Sequence, residues 1–298
     1  MRENWKGVFF DLDPEDCQPE NSKLIIVPAS YEKTTTYRKG TASGPYAIFL
    51  ASQQVELYEP ELDLEPYKIG IATHPPLELE GKDPKEAIKK IEEVLAGQLE
   101  RGKIPILLGG EHTITLGAVR AFKRYFSEFS LLVLDAHTDL RDSYLGEKLS
   151  HACVMRRVLE EGIEPVWLGV RSLSREEAEL IKAKKLKVYF SHQLRQASGF
   201  EELVVRQLKD KIYISLDVDV FDPSQVPGVG TPEPAGLFYH QVLDLFKAIS
   251  LSGKEVLGMD LVELAPIEGE VVSEFTCARL LYQAVGWFWS KKIASRQN

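Results

Sequence analysis

The stretch Leu131-Leu-Val-Leu-Asp-Ala-His-Thr-Asp139 decides the reading of this chain, because four consecutive aliphatic residues end abruptly on Asp135, His137 and Asp139. A run that is apolar at every position reads as a strand buried on both faces, the pattern of a parallel sheet covered by helices. Similar runs stand at Leu24-Ile-Ile-Val27, Ile69-Gly-Ile-Ala72, Ile104-Pro-Ile-Leu-Leu108, Val166-Trp-Leu168, Lys187-Val-Tyr-Phe190, Ile212-Tyr-Ile214 and Val256-Leu-Gly-Met-Asp-Leu-Val262. Between them lie stretches of helical period. Asp83-Pro84 opens one that ends near Arg101-Gly102, and others run through 114–127, 151–161, 174–184, 237–251 and 275–289. The alternation predicts an α/β fold: three layers, α/β/α, around an open, mainly parallel eight-stranded sheet. In such folds ligand sites gather at the carboxyl ends of the strands.

No linker, internal repeat or low-complexity tract divides the sequence, so residues 1–298 are read as one domain. The composition, 44% hydrophobic and 27% charged, is that of a globular protein with a filled core. A formal charge of −9 argues against a nucleic-acid surface and is compatible with a cationic substrate. Cys17, Cys153 and Cys277 lack CxxC spacing and are expected to be free thiols in a reducing cytosol. The N-terminal residues show no secretory signal and no run is long enough to span a bilayer, so a cytoplasmic protein without a membrane partner is expected.

A second acidic segment, Ser215-Leu-Asp217-Val-Asp219-Val-Phe-Asp222-Pro223, also follows an apolar run. If each segment continues its strand, residues two apart share a face. Asp135, His137 and Asp139 then point one way, and Asp217 and Asp219 likewise. Carboxylates so placed at the ends of buried strands repel one another unless a cation joins them. Gly109-Gly110-Glu111-His112 breaks another buried strand and delivers a histidine at its end. By itself His112 reads more readily as a structural residue; beside the acidic segments it reads as a ligand. Two imidazoles and four carboxylates are too many hard donors for one metal, and two Mn²⁺ ions fit the set best. Such a pair can bring the pKa of a bound water toward about 7 and so generate hydroxide for a hydrolysis.

These segments, together with Gly230-Thr-Pro-Glu-Pro-Ala-Gly236, resemble the ureohydrolase family of arginases and agmatinases from about Gly40 to the last helix. The resemblance implies that His112 and Asp139 bind one manganese, that His137 and Asp219 bind the other, and that Asp135 and Asp217 bridge. It further implies that His151, after Ser150, shuttles protons, and that Glu263, in Asp260-Leu-Val-Glu263, pairs with the substrate guanidinium. By the residues alone, His151 reads equally as a surface histidine at a helix start or as a proton carrier, and a strand-end carboxylate bonded to backbone is the alternative for Glu263. The family's arginase-like fold agrees with the strand count, and its members are commonly trimers or hexamers, so a homo-oligomer is expected.

Arginases place an asparagine soon after the aspartate-histidine motif to hold the α-carboxylate, whereas this chain has Leu140-Arg141-Asp142. That loop and Thr231-Pro-Glu-Pro234 look like agmatinases, so cleavage of agmatine to urea and putrescine is expected, as in polyamine biosynthesis. Asp142 or Glu147 could face the distal ammonium. Two departures, Phe49 in Gly44-Pro-Tyr-Ala-Ile-Phe49 and Ala152-Cys153 after His151, leave aminopropyl-agmatine, guanidinobutyrate or arginine open as substrates, and a regulatory homologue without turnover as a further alternative. Binuclear metallophosphatases are disfavoured because no Gly-Asn-His-Glu segment is present, and zinc deacetylases use fewer carboxylates. His74, His192 and His240 are read as structural or exposed, and Trp287-Phe288-Trp289 as core, with an oligomer contact as the alternative.

Overall fold

The computed structural model describes residue 5, residues 7–195 and residues 199–290; the first four residues, read above for a signal, lie outside that set. Eight strands form one sheet: β1 (Leu24–Ala29), β2 (Ile71–Thr73), β3 (Ile104–Gly109), β4 (Ser130–Leu134), β5 (Val166–Val170), β6 (Lys187–Phe190), β7 (Lys211–Asp217) and β8 (Glu255–Val262). Their order is β2-β1-β3-β8-β7-β4-β5-β6, and every pairing is parallel. The helices are α1 (Gly44–Ser52), α2 (Pro84–Glu100), α3 (Thr115–Tyr125), α4 (Val154–Glu160), α5 (Arg175–Lys184), α6 (Ser191–Leu194), α7 (Phe200–Val205), α8 (Tyr239–Leu251) and α9 (Val272–Val285).

The continuous apolar runs are explained by two cores, one on each face of the sheet. Leu132, Leu134, Ile212, Ile214 and Met259 face a core shared with α1, α8 and α9, while Leu131, Val133, Tyr213 and Leu257 face one shared with α2, α3 and α4. Alternate side chains of one strand thus enter different layers, and neither face can be polar. Trp287, Phe288 and Trp289 are buried, and the Trp289 indole donates to the Val256 carbonyl at 2.8 Å, which is the core reading of that cluster. Among the described residues no helix is long and apolar enough to cross a membrane.

Local chemistry sets several helix starts. Asp83 caps α2 with Glu86 in a reciprocal capping box, Pro84 fills its first turn, and Ser174 with Glu177 forms the same box at the start of α5. The stretch read as one helix from 151 to 161 is two elements, a 3₁₀ turn at His151–Cys153 and then α4. α9 begins at Val272 and passes into a π-helical turn at Gly286–Ser290. Helix α1 and the short α6 and α7 have too few turns to declare a period in the sequence.

Candidate metal centre

The carboxyl ends of β3, β4, β7 and β8 adjoin in the middle of the sheet, and the loops that leave them carry the polar residues singled out in the sequence. His112 lies in a 3₁₀ turn directly after β3 and is fully buried. Its Nδ1 stands 3.2 Å from Asp135, 3.1 Å from Asp139 and 3.3 Å from Asp217. His137 Nδ1 stands 2.9 Å from Asp219 and 3.6 Å from Asp135. All six expected ligands therefore converge. Two overlapping groups can each hold an ion, His112 with Asp135 and Asp139, and Asp135 with His137 and Asp219.

The convergence has a different origin from the strand periodicity expected above. β4 ends at Leu134 and β7 at Asp217, so His137 lies in a loop beyond its strand, and Asp219 sits in a 3₁₀ turn spanning Val218–Val220. Turn geometry, not the pleat, aims these groups. Asp139 adopts a left-handed φ of 51°, and Glu263, just past β8, one of 67°. Such conformations are costly for residues other than glycine and persist where their surroundings hold them. Asp139 follows Thr138, whose hydroxyl donates to Glu177 at 2.8 Å and whose carbonyl accepts from the Trp167 indole at 3.1 Å; the Leu140 N–H also donates to Glu177 at 3.0 Å. Arg171 donates to the carbonyls of Asp219, Val220 and Phe221 and to those of Glu233 and Pro234, tying the loop after β7 to the Thr231-Pro-Glu-Pro234 loop. Neither Glu177 nor Arg171 stands out in the sequence, since both act through loops distant along the chain.

Gly109 ends β3, and neither it nor Gly110 adopts a positive φ. The pair is needed for close packing: a Cβ on Gly110 would lie 1.9 Å from the Tyr31 carbonyl oxygen.

Hydrogen bonding prepares His112 as a ligand. Tyr213 and Ser215 donate to the two oxygens of buried Asp260 at 2.9 and 2.7 Å. With its proton directed to Asp260, the Ser215 hydroxyl accepts from His112 Nε2 at 3.0 Å. The Nδ1 lone pair is left facing three carboxylates, and both His112 Nδ1 and Asp135 Oδ2 are buried without a hydrogen bond. A lone pair opposed to buried carboxylates requires a shared cation or extra protons. Burial opposes charge on His112, but the neighbouring carboxylates raise its pKa well above the ordinary value. His137 shifts the same way: burial opposes it, and Asp219 and Asp135 outweigh burial. Burial and then the charge of Asp135 push Asp139 up to about 7, and burial with Asp219 raises Asp217. Asp135 resists burial and lies below the carboxylate range because both imidazoles hold it ionised. The cluster is built from hard oxygen donors and imidazole, which suits divalent cations.

Glu263 lies beside this cluster. Its Oε1 accepts the His112 N–H at 2.6 Å, and burial raises its pKa well above the ordinary value. The backbone bond is the bland reading considered above, yet it occupies one oxygen only. His151 is half-buried rather than a surface residue, with Nδ1 3.0 Å from Thr34 Oγ1 and its ring edge-on to Tyr144. Burial holds its imidazole below the ordinary value. Asp142 pairs with Arg157 at 2.9 Å and Lys148 at 3.5 Å, and Glu147 accepts the Leu149 N–H at 2.8 Å. His74, His192 and His240 lie away from the cluster; the last two stack on Phe190 and Phe238.

A parallel sheet with a carboxylate–imidazole cluster at its carboxyl edge defines a three-layer α/β protein equipped to bind metal. The sequence model of the Arginase family matches residues 22–286, and the chain belongs to that family. It is 40% identical over 275 residues to the N(1)-aminopropylagmatine ureohydrolase of Synechocystis sp., covering 90% of each chain. It is 34% identical over 282 residues to the agmatinase of Pyrococcus horikoshii, covering 93% of this chain and 96% of that one. Its structure matches the agmatine ureohydrolase of Thermoplasma volcanium with a TM-score of 0.84 at 33% identity, covering 94% of this chain and 93% of the other. The chain is thus a ureohydrolase of the arginase family, similar to N(1)-aminopropylagmatine ureohydrolases and agmatinases.

Proposed function

We propose that the chain hydrolyses the guanidino group of a decarboxylated, polyamine-type compound to urea and an amine, with N(1)-aminopropylagmatine ahead of agmatine. The observation that carries the substrate order is the 40% identity to an N(1)-aminopropylagmatine ureohydrolase, with three more relatives of that name at 34–36%. Agmatine is the second reading, favoured by the agmatinases at 34% and by the loop at 139–150.

The donor set suits two Mn²⁺ ions: His112 and Asp139 would hold one and His137 and Asp219 the other, with Asp135 common to both groups and Asp217 beside His112 as a further carboxylate ligand. Bound there, the ions would acidify a water and supply the nucleophile. The remaining work falls to side chains. A guanidinium stays protonated and is a poor electrophile, so it must be held and aimed. Glu263 is raised by burial, and an adjoining guanidinium favours its ionised form, giving a charge-assisted pair inside the pocket. His151 lies below its ordinary pKa and is neutral at pH 7, so it takes a proton before giving one. It receives the proton lost by the attacking water and passes it to the leaving nitrogen, which departs as the amine. Of the two acidic loop residues, Glu147 is assigned to the distal ammonium in preference to Asp142, whose charge Arg157 and Lys148 already match.

The test is urea release by the Mn²⁺-loaded protein across N(1)-aminopropylagmatine, agmatine, guanidinobutyrate and arginine. The two decarboxylated amines should lead. Arginine turned over as fast as either would refute the substrate class and leave the family assignment standing.

A further inference from the structure

Glu111, between the glycine pair and His112, is fully buried and lies outside the ligand set. Its Oε2 accepts the backbone N–H groups of Lys33 and Thr34, both at 2.6 Å. Its Oε1 accepts the hydroxyls of Thr34 at 2.8 Å and Thr113 at 2.7 Å. All four partners are donors, so both oxygens serve as acceptors. The carboxylate thereby fastens the segment after β1 to the turn after β3.

Thr34 Oγ1 has two further neighbours. It accepts the backbone N–H of His151 at 3.0 Å and lies 3.0 Å from His151 Nδ1. A hydroxyl has one proton to donate. With that proton directed to Glu111, the oxygen can only accept from the imidazole. Neutral His151 must then carry its hydrogen on Nδ1 and expose the lone pair of Nε2.

We propose that Glu111 and Thr34 are positioning residues that fix the tautomer and ring orientation of His151, making Nε2 the atom that exchanges protons during turnover. The inference rests on the reading of His151 as the proton carrier. A His side chain lacking this tether can adopt either tautomer and other rotamers, only a fraction of which present a basic nitrogen to the reacting centre. The relay spans three segments distant in sequence, residue 34, residue 111 and residue 151, and each is useless for this purpose without the other two.

The test pairs Thr34→Val, which keeps the shape and removes the hydroxyl, with Thr34→Ser, which keeps the hydroxyl. In the Mn²⁺-loaded enzyme, Thr34→Val should lower kcat about tenfold to a hundredfold with KM and metal content within about threefold of the native values, and Thr34→Ser should recover most of that loss. Independently of turnover, ¹⁵N spectra of histidine-labelled native protein loaded with diamagnetic Zn²⁺ should show neutral His151 protonated on Nδ1, with the preference weakened in Thr34→Val. Equal kcat in native and Thr34→Val, or an equal loss in both variants, overturns the proposal, as does an Nε2-protonated His151 in the native spectrum. If the native protein releases no urea from any guanidino compound, the proposed function fails, while the spectrum still decides the tautomer.

Discussion

Gly110→Ala should damage the centre without touching any ligand. A Cβ there would lie 1.9 Å from the Tyr31 carbonyl oxygen and 2.8 Å from its carbon. The closest ordinary C···O approach is about 3.3 Å, so the contact is short by about 1.4 Å. Both sides are backbone: the Tyr31 carbonyl also accepts the Glu111 N–H at 2.8 Å, and the Gly110 N–H donates to Ala29 at 3.1 Å. No flexible side chain can yield, so the segment 110–112 must move away from β1 by on the order of 1 Å. A displacement of that size exceeds the roughly 0.5 Å tolerance of a preorganised site. It acts on His112, and also on the Gly110 carbonyl that orients the Glu263 N–H at 2.8 Å. We expect a loss of about 1–3 kcal/mol in stability from overpacking and a fall of about 10²-fold or more in kcat/KM. Denaturant unfolding of the metal-free variant measures the first, and urea release with metal titration measures the second. A Gly110→Ala protein with native stability, metal affinity and turnover would refute the claim that close packing of the segment after β1 on the turn after β3 places the histidine.

Three further outcomes follow from the geometry. His151→Ala should lower kcat by about 10²–10⁴ with metal content unchanged, and a change under threefold would make this histidine a bystander. Chelation should lower the melting temperature by on the order of 5–10 °C, since a ligand at a thousandfold its Kd stabilises by about 4 kcal/mol; superimposable melts with and without Mn²⁺ would remove the metal from the fold. In the chelated protein, stability should fall as pH rises from about 4 to about 7, because Asp139, pushed from its ordinary 3.8 to about 7, retains a proton that the unfolded chain has released. His112 and His137, raised above their ordinary 6.5, act in the same direction, each stabilising while protonated and ceasing to as pH passes its folded value. The opposite contribution from Asp135 is confined to acid pH below its ordinary 3.8, and that from His151, lowered from 6.5, is a single group set against Asp139, Asp217 and Glu263, all raised by burial. Thermal melts of the chelated protein across this range check the sign, and a stability that rises with pH through it would contradict the assignment.

Much of this site is legible because its donors stand next to the strands that carry them. His112 follows β3, Asp135 follows β4 and Asp217 ends β7, so a buried run followed by a polar donor marks each corner. The expected pairing of side chains by strand alternation failed for a definite reason. The chain leaves the sheet at Leu134 and Asp217, and the left-handed turn at Asp139 and the 3₁₀ turn at Asp219 are held by bonds from Glu177, Trp167 and Arg171 that no local pattern announces. His151 shows the same limit. Its sequence neighbourhood is that of an exposed helix start, and the hydroxyl that meets its ring comes from residue 34, on a segment 117 positions away.

What the sequence determined by itself was the sheet and the donor inventory. Hydrophobicity at every position demands cover on both faces, and carboxylates at the ends of such runs demand a counter-charge, whatever the tertiary detail. Only the folded chain decided the strand order that brings β3, β8, β7 and β4 side by side, the direction in which each donor points, the tethers from Asp260 and Glu177 that hold the donors, and the bond from Glu111 to Thr34 beside His151. Those choices depend on contacts between residues tens to more than a hundred positions apart, whose energies belong to pairs and leave no mark on either residue alone.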